Sequence, residues 1–153
     1  MARLAYYTVA PEAFGLIREL STHLEHSEIG GTLLHLVYLR ISQINGCSYC
    51  VDLHWRDARA AGVDERALNG VLLWRSMPFF SERERAALAW AEAVTTLRDQ
   101  QVSGEEFEHA HRHFSEREMA ELTFAIAHMN ALNRIAIAFH HVPVIPQASP
   151  VTA

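Results

Sequence analysis

Apolar residues recur three or four positions apart through nearly the whole of this chain, and no stretch shows the sustained alternation expected of paired strands. The pattern predicts an all-α fold. Its most demanding segment is a helix over about 32–44, where Leu33, Leu34, Leu36, Val37, Leu39, Ile41 and Ile44 leave few sides polar. A helix apolar on so many sides belongs at the centre of a packing or at an interface. With 153 residues, half of them apolar, the chain is about one domain long and has enough material to bury a core.

Punctuation divides the rest. Pro11 and Glu12 suit a first helical turn, with Phe14, Ile17, Leu20 and Leu24 as the apolar face and Gly30-Gly31 as the stop. Asn45 and Gly46 break the central helix, and a new one is expected to start at Cys47 and run through Val51, Trp55 and Ala58 to Gly62. Asp64 then caps a short helix through Leu68, Val71 and Leu72, closed off before Pro78. Ser81 with Glu84, and Ser115 with Glu118, are S-x-x-E capping boxes, and each announces a helix.

The first of those helices is expected to turn Ala86, Trp90, Ala93 and Leu97 to one face. The second presents Leu122, Ile126, Met129 and Ile137, with Phe114 stapled on Met119. Pro143, Pro146 and Pro150 cannot continue a helix, so residues 1–142 read as a single helical domain and 143–153 as a Pro-rich tail, extended or disordered.

Charge and composition exclude several functions. The net charge is −5 with no basic run to offset it, so nucleic acid is not an expected partner. Neither Met1–Ala10 nor the interrupted run 33–44 suits a signal peptide or a membrane span, and a cytoplasmic protein is expected. The two cysteines, Cys47 and Cys50, stand too close in sequence to staple distant parts of a secreted domain. In a reducing compartment such a pair points to redox chemistry or to a metal.

On a helix Cys47 and Cys50 lie roughly 60° apart around the axis, and His54 follows Cys50 by one turn. All three share a stripe. Residues at i and i+3 have α-carbons about 5–6 Å apart, within the range of a disulfide. A helix start offers free amides and a positive dipole end, which lower a thiol pKa from about 8.5. His54 can accept the Cys50 proton or, as imidazolium, hold the thiolate. Such a site suits attack on an electrophilic oxygen or sulfur, giving a sulfenic acid that the second cysteine condenses into a disulfide.

Two other readings of the pair stay open at this point. In one, the cysteines are reduced and inert, packed as small hydrophobes. Alternatively Cys47, Cys50 and His54, with His35 as a fourth ligand, hold structural zinc, although three ligands on one helix rarely surround a tetrahedral ion. The remaining histidines read as solvated (His23, His26, His109, His111, His113) or without a role (His140, His141). Trp55, Trp74 and Trp90 read as core, and no cofactor is expected.

The run Ile41-Ser-Gln-Ile-Asn-Gly-Cys-Ser-Tyr-Cys-Val-Asp-Leu-His54 resembles the signature of the AhpD-like alkylhydroperoxidase and carboxymuconolactone decarboxylase superfamily. The resemblance extends to Trp74-Arg75, Pro78-Phe-Phe-Ser81, Glu84-Arg-Ala-Ala-Leu-Ala-Trp90 and Asn130-Ala-Leu-Asn-Arg134, covering about residues 5–140. It implies an all-helical AhpD-like domain assembled as a dimer, trimer or trimer of dimers. It also implies that Cys50 attacks peroxide, that Cys47 resolves it and receives the reductant's thiol, and that His54 joins a proton relay.

One position departs from that pattern. Where the family relay carries a glutamate, twelve residues before the first cysteine, this chain has His35. Histidine there either preserves the relay with a different pH dependence or abolishes peroxidase activity; it also reads as a core histidine satisfied by a hydrogen bond. The decarboxylase branch fits less well, because its members typically lack the redox pair. The expectation is therefore a thiol peroxidase or disulfide reductase with Cys50, Cys47, His54 and His35 in the site. Its partners would be a small-molecule peroxide and a dithiol, thioredoxin-type or lipoyl-type reductant. The alternative is a non-enzymatic redox-sensing or metal-binding helical assembly.

Overall fold

Helix α3 (Gly31–Asn45) is buried on opposite sides at once, and that sets the architecture of the computed structural model, which describes residues 2–144. Leu34, Val37 and Ile41 enter one apolar cluster; Leu36 and Leu39 enter another. Each of these side chains is at most 1 % exposed, and burying one stabilises the fold by about 1.5–3 kcal/mol. The all-round apolar pattern of this segment thus has its physical outlet.

Around α3 stand α1 (Tyr6–Val9), α2 (Pro11–Glu25), α4 (Ser48–Ala60), α5 (Glu65–Gly70), α6 (Glu82–Thr96), α7 (Gly104–His111) and α8 (Glu116–Ala138). No strand occurs among the described residues. Helices α4, α6 and α8 pack directly on α3. The first cluster joins α3 to Ala87 and Trp90 of α6 and to Leu122, Ile126 and Met129 of α8. The second joins it to Ala58 of α4, to Leu68 and Val71, and to Trp74, Phe80 and Leu88.

Helix ends follow the local chemistry. Both expected capping boxes are present, Ser81 with Glu84 and Ser115 with Glu118. A third, Ser103 with Glu106, starts α7 in a stretch that reads from sequence only as Glu-rich and solvated. His109, His111 and His113 accordingly sit at the end of a helix and are partly rather than fully exposed. Phe114 and Met119 share one core cluster, as the staple requires.

Several expectations need correction. Helix α2 stops at Glu25, where the amides of His26 and Ser27 turn back to His23 and Leu24; Gly30, at φ +82°, instead opens α3. Leu97 leaves the α6 face as a left-handed C-cap and is exposed, and Ile137 points outward near the end of α8. Trp55 is exposed, at 37 %, unlike Trp74 and Trp90, and lines a surface groove with Gln43 and Leu72. Of the expected Pro-rich tail, residues 145–153 lie outside the described residues.

Candidate active site

The α3–α4 junction places the two cysteines. Gly46 takes a left-handed conformation (φ +70°, ψ +27°) that ends α3, a geometry open to glycine without the usual Cβ penalty. Cys47 then occupies the N-cap of α4, where its sulfur accepts the Cys50 amide at 3.4 Å. The two cysteines are joined as a disulfide with α-carbons 5.3 Å apart.

Beneath this turn lies a polar clamp. Asn45 Nδ2 donates to Asn130 Oδ1 and to Asn133 Oδ1, both at 2.9 Å, and Asn133 Nδ2 donates to Ser42 Oγ at 3.2 Å. Asn133 and Ser42 are fully buried. A buried amide left unpartnered is costly, so the network fixes α8 against the end of α3 and with it the start of α4. Ala136, one turn further along α8, packs on both cysteines.

Cys50, His54 and His35 all line one cavity of about 260 Å³, and Cys47 does not. Tyr38, Asp57 and His128 share the walls, with Ser21 of α2 opposite and the aromatic rings of Tyr6, Phe14 and Tyr49 among the apolar lining. Of the four residues singled out from sequence, Cys50, His54 and His35 therefore meet at this cavity, and Cys47 stands apart at the helix cap. The helix-start amide serves the sulfur of Cys47, whereas the histidine shares its cavity with Cys50.

His54 is 7 % exposed. Burial, reinforced by the neighbouring His35 and His128, lowers its pKa to about 3, so the ring is neutral at physiological pH. Its Nδ1 has no hydrogen-bond partner; Asp57 Oδ2 stands 3.7 Å away, beyond hydrogen-bonding distance. His35 is half-buried, and its Nδ1 is likewise unpartnered, so the core hydrogen bond open to it from sequence is not made at that atom. Burial, helped by Glu25, pushes the Tyr38 phenol upward, and its hydroxyl also lacks a partner.

His128 is the residue the sequence reading missed. It is 5 % exposed, its Nε2 lies 2.8 Å from Ser21 Oγ, and burial lowers its pKa. Its signal was its register: on α8 it lies three positions after Ala125 and next to Met129, both of them buried. His141, left without a role, lies with its ring centroid 4.6 Å from that of Tyr49 at 51° between planes, beside the disulfide. The zinc alternative changes as well. The cysteines are paired with each other, and the side chains that do converge are His35, His54 and Asp57.

An all-helical chain with a CxxC disulfide at a helix start and a buried imidazole one turn on belongs to the class of CxxC thiol proteins. The comparisons narrow that class. The model of the carboxymuconolactone decarboxylase family matches residues 11–93. An uncharacterized Bacillus subtilis protein, YdfG, is 33 % identical over 136 residues, spanning 89 % of this chain and 92 % of its own. The chain belongs to the AhpD-like carboxymuconolactone decarboxylase family.

Solved structures agree on the fold. A protein of unknown function from Agrobacterium tumefaciens, suggested to be an antioxidant defence protein AhpD, superposes with a TM-score of 0.89 at 37 % identity, covering 95 % of this chain and all of that one. The debrominase Bmp8 superposes with a TM-score of 0.78 at 25 % identity over 88 % of this chain and 73 % of its own. Activities within this fold therefore vary. No helix among the described residues is long and apolar enough to cross a membrane.

Proposed function

We propose that the protein reduces small organic or hydrogen peroxides through Cys50, with Cys47 as resolving thiol. The observation that carries this reading is the asymmetry of the pair: Cys50 and His54 face the cavity, and Cys47 is held back at the helix cap. In the reduced protein His54 accepts the Cys50 proton. The resulting thiolate–imidazolium attraction offsets the burial that keeps the ring neutral in the disulfide form. The thiolate attacks the terminal peroxide oxygen, the O–O bond breaks, and the alkoxide leaves as an alcohol with the relayed proton. Cys50 is then a sulfenic acid; Cys47 condenses with it, releasing water and forming the disulfide.

Two electrons from a dithiol of the lipoyl or thioredoxin type complete the cycle. Attack on Cys47 expels the Cys50 thiolate toward His54, which is placed to protonate it. His35, which stands where the family relay has a carboxylate, lies with its ring centroid 6.1 Å from that of His54, so the relay here runs through imidazoles. The same reading includes a single domain over 1–142, a cytoplasmic location and a homo-oligomer (dimer, trimer or hexamer), supported by exposed apolar side chains such as Trp55 and Leu72 beside α4.

Peroxide consumption with dihydrolipoamide as reductant tests the proposal. Wild type turns over, Cys50→Ser does not, and Cys47→Ser reacts about once and then carries a sulfenic acid that dimedone traps. Equal, slow consumption by wild type and Cys50→Ser overturns it.

A further inference from the structure

We propose that the imidazoles of His35 and His54 and the carboxylate of Asp57 form a binding site for a divalent transition metal, sharing the cavity with Cys50. The ligand atoms of these three side chains all lie within 4.8 Å of one another, on two helices that pack together. Around an ion at about 2.0–2.2 Å from each ligand, neighbouring ligand atoms sit about 3–3.5 Å apart, so closure asks for side-chain shifts of under about 1 Å. His54 and Asp57 are one helical turn apart on α4, and their facing atoms already stand at 3.7 Å.

A second observation points the same way. His54 is 93 % buried by its 7 % exposure, and its Nδ1 faces no hydrogen-bond partner; the buried Nδ1 of His35 is in the same position. Two orphaned ring nitrogens in one cavity are costly unless something supplies them with a partner. A cation that accepts their lone pairs does so.

The donor set fixes the chemical class. Two imidazoles and one carboxylate suit zinc, ferrous iron, cobalt or nickel, and poorly suit magnesium or calcium, which take oxygen ligands. Three protein ligands leave coordination positions open toward the cavity, which Tyr38 with its unpartnered hydroxyl also lines. Asp57, with 39 % of its side chain exposed, marks the way in. No sulfur is required, so the site persists when Cys47 and Cys50 are oxidised.

On the reading proposed above, such a metal takes the lone pair with which His54 accepts the Cys50 proton. Metal occupancy and proton transfer from Cys50 to His54 then exclude one another, and the ion is an inhibitor of the dithiol cycle.

The test is titration of the oxidised full-length protein with cobalt(II) alone, followed by visible absorption and equilibrium dialysis. The expected result is about one equivalent bound with ligand-field bands, weakened at least about ten-fold by His35→Ala and by Asp57→Asn separately. Because Asp57 is partly exposed, Asp57→Asn keeps the test valid if His35→Ala fails to fold. No binding, or binding that both variants retain, overturns the site. So does cobalt bound only after reduction, with a sulfur-to-cobalt band that Cys47→Ser removes. Peroxide plays no part in this assay. A protein that binds cobalt and never consumes peroxide overturns the proposed function alone, and one that consumes peroxide and never binds cobalt overturns the site alone.

Discussion

The rings of His35 and His54 lie nearly parallel, 27° between planes and 6.1 Å between centroids, although they come from different helices. Neither Nδ1 is hydrogen-bonded. Burial keeps the His54 ring neutral, and the neighbouring imidazole of His35 adds to that effect.

This arrangement makes stability depend on pH. The folded pKa of His54, about 3, lies below the ordinary value of 6.5, so between those limits the unfolded chain binds one more proton than the native one. Stability is full above about pH 7 and falls as the pH drops through 6.5 toward 3, by up to about 1.4 kcal/mol per pH unit from this group. His128, also lowered by burial, adds in the same direction. Thermal midpoints measured from pH 7 to 4.5 should fall more steeply in wild type than in His54→Gln; parallel curves would refute the assignment.

The asparagine clamp under the cysteines should prove both structural and positional. Asn133→Ala leaves the Asn45 amide and the Ser42 hydroxyl short of a buried partner and should cost about 2–3 kcal/mol in urea unfolding. Because Asn45 precedes the Gly46 turn into Cys47, the variant should also change the alkylation rate of the reduced cysteines under conditions where it remains folded. An unchanged rate would separate the clamp from the site.

A second polar hub lies on the far side of α3. Glu92 accepts from Trp74 Nε1 at 2.8 Å, pairs with Arg40 at 2.7 Å, and pairs with the exposed Arg75 at 2.6 Å. Burial alone would raise the Glu92 carboxyl; hydrogen bonds from Trp74, Arg75 and Arg40 outweigh it and hold the pKa below the ordinary range. Glu92→Gln leaves Arg40, 14 % exposed at its side chain, without its counter-charge, and a loss of about 2 kcal/mol is expected. Arg75→Ala, removing only the exposed arm, should cost less than about 1 kcal/mol by the same measurement.

Much of this protein is written in local chemistry. The all-round apolar run over 33–44, the capping serines at 81 and 115, the proline at 11 and the glycine at 46 each act within a few residues, so α2, α3, α4, α6 and α8 were legible from spacing alone. The placing of Cys50 and His54 was legible for the same reason: one helix sets them a turn apart, with Cys47 at its N-cap. The third capping box, Ser103 with Glu106, was equally local and was overlooked amid its charged surroundings.

What the sequence could not decide is which groups from other helices meet Cys50 and His54. Whether His35 turns inward to the core or toward the cavity, whether His128 and Ser21 close the opposite wall, and whether Trp55 is covered depend on how α2, α3, α4 and α8 are oriented about their axes. Periodicity fixes which residues share a face of one helix; only packing fixes what that face looks at. The thiol pair and its histidine were thus determined along the chain, and the imidazole neighbourhood that sets their protonation was decided by tertiary structure.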